Sequence, residues 1–223
     1  TRVEDRLVFE MDEIVVSNTH MSQDDFFELY RFKLWAQLAY GAAYLKEIIM
    51  HCLNHEITPL EIYDHLMNDK TGYPFINEVL TEYTKRIKPL FFESPQALEE
   101  ALSRHIEEQG DVESFYYIRH LNHTMARVLG SETKGLFVNE VVKAAKGIYK
   151  SRSSNDREKE DQGAFYDVIE ELGQIQVQCI ISPLERQQLV LEEQCSYDLE
   201  QWAKDNYENP LSDYRLPQSI TIY

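Results

Sequence analysis

A chain of 223 residues with 22 Lys plus Arg against 39 Asp plus Glu carries a formal net charge of −17. That balance repels phosphate backbones and anionic lipid, so it argues against nucleic-acid binding or docking on a charged membrane surface and is read as solubility. Cys52, Cys179 and Cys195 are odd in number and too scattered for a disulfide framework or a zinc module, which fits a cytoplasmic protein.

Residues 1–16, TRVEDRLVFEMDEIVV, mix acidic and apolar residues without the continuous apolar core of a secretory signal. Leu7, Phe9, Ile14, Val15 and Val16 are β-formers, so residues 6–16 predict a short strand or an extended lead-in. The chain begins at Thr1 rather than at an initiating methionine, as a trimmed chain or the severed end of a longer one would.

A helix start follows. Ser22 is placed as N-cap, with Asp25 three residues on to complete a capping box, and Met21 and Phe26 stand at the spacing of a hydrophobic staple. Phe27, Tyr30, Leu34, Leu38, Gly41, Leu45, Ile48 and Cys52 then recur at steps of three and four, the period of one face of a long helix. Phe26, Phe32, Trp35, Ala39, Tyr40, Ala42, Ala43 and Ile49 fill much of the remaining circumference. A helix apolar on nearly every side belongs under other elements or against a partner domain. Arg31, Lys33 and Gln37 interrupt it too often for a membrane span.

Thr58 as N-cap, Pro59 at the first helical position and Glu61 two residues further predict a helix over 59–68. Pro74 opens another, ending before Pro89. Ser94 and Pro95 open a fourth, with Leu98, Ala101, Leu102 and Ile106 inward and Gly110 as its stop. Asp111 is placed to cap a fifth through Phe115, Ile118, Leu121, Met125 and Leu129, and residues 136–149 read as helical. KSRSSNDREKEDQG, residues 150–163, has no apolar member and reads as a long solvated loop, an internal boundary or a helix-start extension. A last long helix is expected over 164–181, then a short strand at 189–191, a helix or turn seating Leu199 and Trp202, and an extended end at 219–223. The fold class is mainly α: one multi-helix orthogonal or bundle-like domain over 1–223, with a few short peripheral strands near both termini.

Chemistry-bearing patterns are sparse. His51 and His55, four apart, can face one metal, but the residues between them lack the glutamate of a zinc protease, and helix-end polar contacts are the plainer reading. His120 and His123, with Tyr116, Tyr117 and Arg119 nearby, outline either a polar-aromatic pocket or ordinary packing with exposed tips. Cys52 reads as core. No phosphate loop, dinucleotide fingerprint or nucleophile elbow occurs, and the paired carboxylates Glu99 and Glu100, Glu170 and Glu171, and Glu192 and Glu193 are those of an acidic surface.

The segment EIVVSNTHMSQDDFFELYRFKLWAQLAYG resembles a stretch in the C-terminal region of radical SAM proteins that carry an N-terminal cobalamin-binding domain. Asn18, Thr19, Met21, Ser22, Asp25 and Phe26 carry the match; His20 stands as an insertion, and Phe26 replaces the more usual tryptophan. LVLEEQCSYDLEQW is similar to the Tyr-Asp-x-x-x-Trp ending of that region, through Tyr197, Asp198 and Trp202. The resemblance covers both ends and leaves the middle matched by helical character alone. It implies an accessory helical domain that packs on or caps a catalytic barrel, with the upstream catalytic domains of the same polypeptide as partners. It also implies a 4Fe-4S cluster, S-adenosylmethionine and cobalamin in the full-length protein. This chain has neither the C-x-x-x-C-x-x-C cluster loop nor a cobalamin-binding Asp-x-His-x-x-Gly, so no cofactor, catalytic or metal-binding residue is assigned to it. Asn18, His20 and Arg31, which border the entry to the first helix, are the candidates to face the barrel or substrate; the competing expectation makes them local capping and surface groups. The alternatives are a free-standing helical interaction module without enzyme activity and, behind it, a helical enzyme with an acidic metal site.

Overall fold

A computed structural model of the chain describes residues 2–3, 6–7, 14–41, 44–110, 117–152, 156–179 and 193–222. The chain is mainly helical. Two-residue strands β1 (Arg2–Val3) and β2 (Arg6–Leu7) pair antiparallel at the start. Eight helices follow: α1 (Gln23–Ala36), α2 (Lys46–Asn54), α3 (Pro59–Asn68), α4 (Pro74–Ile87), α5 (Pro95–Gln109), α6 (Tyr117–Val128), α7 (Lys134–Arg152) and α8 (Asp156–Cys179). Strand β3 (Glu193–Tyr197), the short α9 (Leu199–Lys204) and β4 (Arg215–Ile222) close the chain.

Local grammar sets most of the boundaries. Ser22 Oγ accepts the Asp25 amide at 3.1 Å while the Asp25 carboxylate accepts the Ser22 amide at 2.8 Å, so both halves of the predicted capping box form. Thr58 and Glu61 repeat the arrangement at α3, with Pro59 in the first turn. Ser94 caps α5, and Gly110 closes it in the left-handed conformation at φ 73°, where a side chain would be strained.

The single long helix expected from residue 23 through Cys52 is divided. α1 ends at Ala36, a π-helical turn occupies Gln37–Gly41, and α2 starts at Lys46. The π turn takes up an extra residue, and Gly41, a poor helix former, lies at its end. Burial nevertheless follows the apolar series across the break: Leu34, Leu45, Ile48 and Cys52 are fully buried. Of the readings offered for 150–163, the helix-start extension is the one observed. Residues 150–152 finish α7 and 156–163 belong to α8, which therefore begins well before 164. Its Arg, Lys, Glu and Gln are good helix formers, so a run without apolar residues is compatible with helix as well as with loop. The strand expected at 189–191 and the roles given to Asp111 and Phe115 lie outside the described residues.

α7 packs against α3, α4 and α8 in the core, and α1 packs against α4 and α3. Trp35 meets Phe137 of α7 edge-on at 6.5 Å, and with Leu38, Ile76, Val79, Leu80 and Val128 encloses a void of about 10 Å³, room for no more than one water. Phe26 and Phe27 surround Phe91, each ring at 5.4 Å and near right angles. At the other end, β3 and β4 pair antiparallel, Glu193 opposite Ile222 and Tyr197 opposite Arg215, with an irregularity between Cys195 and Tyr197. Asp198 caps α9, whose Trp202 is fully buried and donates from its indole to the Asn209 carbonyl at 2.9 Å. The same carbonyl accepts Asn54 Nδ2 at 3.1 Å, which ties this terminal unit to α2. Among the described residues, no helix is long and apolar enough to cross a membrane.

Candidate functional site

The entry turn to α1 explains two of the three candidate residues locally. Asn18 Oδ1 accepts the amides of His20 at 2.7 Å and Met21 at 2.9 Å, and the Asn18 amide donates to the Met21 carbonyl at 2.8 Å. Asn18 thus folds the lead-in upon itself, as Asn side chains do at helix entries. His20 is exposed on that turn. The Ser22 hydroxyl, then its amide, hold the Asp25 carboxyl below its ordinary range.

Arg31 lies elsewhere, about 14 Å along the helix axis from Ser22. Its Nε donates to Thr84 Oγ1 at 3.0 Å and its Nη1 to Glu28 Oε2 at 2.6 Å. The other Glu28 oxygen accepts the hydroxyl of Tyr63, a buried residue of α3. Burial, reinforced by Glu28, raises the Tyr63 pKa well above its ordinary value, so the phenol remains a donor. Thr84 Oγ1 in turn donates a hydrogen bond to the Leu80 carbonyl at 2.9 Å. These contacts tie α1 to α3 and α4. They leave no uncommitted base, and Arg31 is joined to Thr84 rather than to Asn18 and His20.

Outside this network lies an apolar strip. The buried face of α1 carries Phe27, Leu34 and Trp35; Leu29, Phe32 and Ala36 fall on the opposite side. Leu29 is 58% exposed, and Leu60, in the first turn of α3, is 53% exposed. Two contacts align the helices: Phe32 meets Tyr63 edge-on at 5.3 Å, and the Trp35 indole donates to the Pro59 carbonyl at 3.2 Å. Leu60 follows Pro59 and Leu29 lies on the outer side of α1, so both helices of this contact carry an exposed leucine.

His51 and His55 do come together, with ring centroids 4.9 Å apart. His51 is 3% exposed and stacks on Phe165 at 5.0 Å, and neither of its ring nitrogens has a hydrogen-bond partner. Burial first, then the neighbouring His55, pushes its pKa down to about 3 against an opposing influence of the Phe165 backbone, so His51 is neutral. No group of three or more His, Cys, Asp or Glu side chains able to hold a metal occurs among the described residues. Burial pushes the Cys52 thiol up to about 12, which suits the core and not a nucleophile. His123 meets Arg86 through Nδ1 at 2.7 Å on the surface between α4 and α6; the side chains of His120 and Arg119 lie outside the described residues.

The carboxylate that sequence reasoning missed is Glu140 of α7. Its two oxygens accept the amides of Phe75 at 3.0 Å and Ile76 at 2.9 Å, capping α4 from another helix. Tyr73, the N-cap residue itself, supplies no side-chain bond. A lone Glu among the apolar residues of α7 carries no local signal for such a role. Glu170, from one of the acidic pairs, meets Lys146, and its neighbour Glu171 accepts the Ser196 amide at 2.6 Å. An open cleft of about 410 Å³ between α7 and α8 is lined by Asn139, Lys143, Lys146, Glu170 and Gln174, but both amines are engaged, Lys143 by the Gly72 carbonyl at 2.9 Å and Lys146 by Glu170. Comparison of the chain with protein-family models, with curated proteins and with solved structures returns no match.

Proposed function

We propose that this chain is a helical accessory domain of a cobalamin-dependent radical SAM enzyme, packing on the catalytic barrel through the α1–α3 face and performing no radical chemistry itself. The exposed Leu29 and Leu60, with half-buried Phe32 and Ala36 on the outer side of α1, are the observation that carries this reading. It accounts for a helix that is apolar on nearly every side, because the second apolar side serves a neighbouring domain. The entry element Asn18–Phe26, on which the family resemblance rests, leads directly into that helix. Asn18 and His20 flank it as exposed polar groups at the rim.

Covering the exposed half of Leu29 and of Leu60 is worth about 2–3 kcal/mol together. The decisive experiment uses the intact polypeptide, whose coding sequence upstream of Thr1 is expected to supply the C-x-x-x-C-x-x-C loop. Leu29→Glu combined with Leu60→Glu is expected to expose the α1–α3 amides to hydrogen exchange and to reduce turnover, while the unfolding free energy of residues 1–223 alone, from urea melts, changes by less than about 0.5 kcal/mol. Wild-type exchange and turnover in the double variant refute the docking role. A start codon directly before Thr1, with no cluster loop upstream, leaves the same face to a free-standing interaction module.

A further inference from the structure

The imidazole of His51 is buried in a seam among three helices. Phe165 of α8 stacks on it with the planes 17° apart, and Tyr149 of α7 stacks on the other aromatic partner, Phe165, at 4.2 Å and 8°. His55 stands edge-on to all three rings, at 4.9 Å from His51, 4.9 Å from Phe165 and 5.5 Å from Tyr149. This four-ring cluster joins α2 to α8 and α7. A neutral imidazole serves as an aromatic plate here, yet two ring nitrogens remain without hydrogen bonds in a buried place, where an unsatisfied polar atom is costly.

We propose that His51 is an acid-sensitive latch: neutral, it closes the seam between α2 and α8, and protonation opens that seam.

Among the described residues, the groups that face His51 favour its neutral form on balance. On α2, His55 disfavours a charge on His51, Glu47 one turn back is engaged by Gln176, and Cys52 is a buried neutral thiol. From α7, Tyr149 offers a ring and Arg152 a permanent cation, held at the end of α2 by the Glu56 carbonyl at 2.9 Å and the His55 carbonyl at 3.4 Å. Those bonds occupy the carbonyls that would otherwise favour a cation in the last turn of α2. The nearby carboxylate on α3, Glu61, is committed to Arg152 and to the Thr58 cap. From α8, Phe165 presents a ring face and a backbone that favours the charged imidazole, but burial outweighs both, and Gln176 is bound to Glu47 at 2.5 Å.

The direction follows from linkage. Opening returns His51 to its ordinary value of 6.5, whereas the closed seam holds it at about 3. Protons therefore bind the open form, and the closed form loses its advantage as pH falls below 6.5 toward 3. Between pH 7.5 and 5.0 the opening constant of the seam rises about 30-fold.

Amide hydrogen exchange of the 223-residue chain, corrected for intrinsic rates, tests this at the two pH values. Amides of α2 and the described part of α8 around Phe165 are expected to lose about 30-fold of their protection, with α4 amides changing less than about 3-fold. His51→Leu, which keeps an apolar filling, is expected to hold the seam within about 3-fold. An equal loss across α2, α8 and α4 overturns the latch, as does an unchanged pH response in His51→Leu. Should that variant not fold, the ring resonances of wild-type His51 decide: no titration above pH 4 in the closed form agrees with the latch, and a midpoint near 6.5 with α8 still protected removes it.

Discussion

Glu140→Ala should unfasten the start of α4 without touching α4 itself. Pro74 has no amide proton, so the unsatisfied donors of the first turn are Phe75 and Ile76, and the Glu140 carboxylate takes both, at 3.0 Å and 2.9 Å. Ile76 is 3% exposed, so its amide has little access to replacement water. Losing a cap costs about 0.5–2 kcal/mol, and the charge acting on the helix start adds about 0.3–1 kcal/mol. Two charge-assisted bonds place Glu140→Ala at the upper end, about 2–3 kcal/mol. Glu140→Gln keeps one acceptor oxygen and loses the charge, which gives about 1–1.5 kcal/mol. Urea denaturation followed by far-UV circular dichroism measures both, with a lowered midpoint and an unchanged slope as the expected form. A loss below 0.5 kcal/mol in Glu140→Ala, or equal losses in the two variants, would refute the capping argument, because either result leaves the two amides indifferent to the carboxylate.

Two further outcomes are expected. Ser22→Ala should cost about 0.5–2 kcal/mol and Met21→Ala a smaller amount, with the double variant losing less than the sum because both hold one turn; full additivity in urea melts would separate cap from staple. In a Cys179→Ser, Cys195→Ser background, Cys52 should resist a disulfide-exchange reagent at pH 8 and react only when urea unfolds the chain, since burial keeps the thiol protonated; labelling of the native protein at the rate of a free thiol contradicts this.

What was legible in the sequence was what is decided within a few residues. The boxes Ser22–Asp25 and Thr58–Glu61, the prolines opening α3, α4 and α5, and the left-handed stop at Gly110 all have donor and acceptor within one turn, and they place the helices where expected. The contacts that organise the candidate site are long-range. Arg31 reaches Thr84 across 53 positions, and Glu140 reaches Ile76 across 64, with nothing in either neighbourhood to announce the partner. The apolar circumference of α1 was visible, but which part faces outward depends on where α3 and α4 pack. The break after Ala36 was hidden for a further reason: the apolar series keeps its steps of three and four through the π turn, so periodicity reports burial there and not helical continuity.

That π turn also bears on the length of the gene. A π turn holds roughly one residue more than an α turn, so removing one codon between Gln37 and Gly41 lets the backbone relax into ordinary helix. The four residues left then turn the chain about as far as the five did, because each α-helical residue advances it by about 100° and each residue of the wider π turn by less. Leu45, Ile48 and Cys52 would keep their side toward the core. A codon lost within α1 or α2 has no such slack and would swing one end of the helix against the other by about 100°. Drift in length should therefore gather at Gln37–Gly41, where Tyr40 is already 57% exposed, with α1 and α2 holding constant spacing.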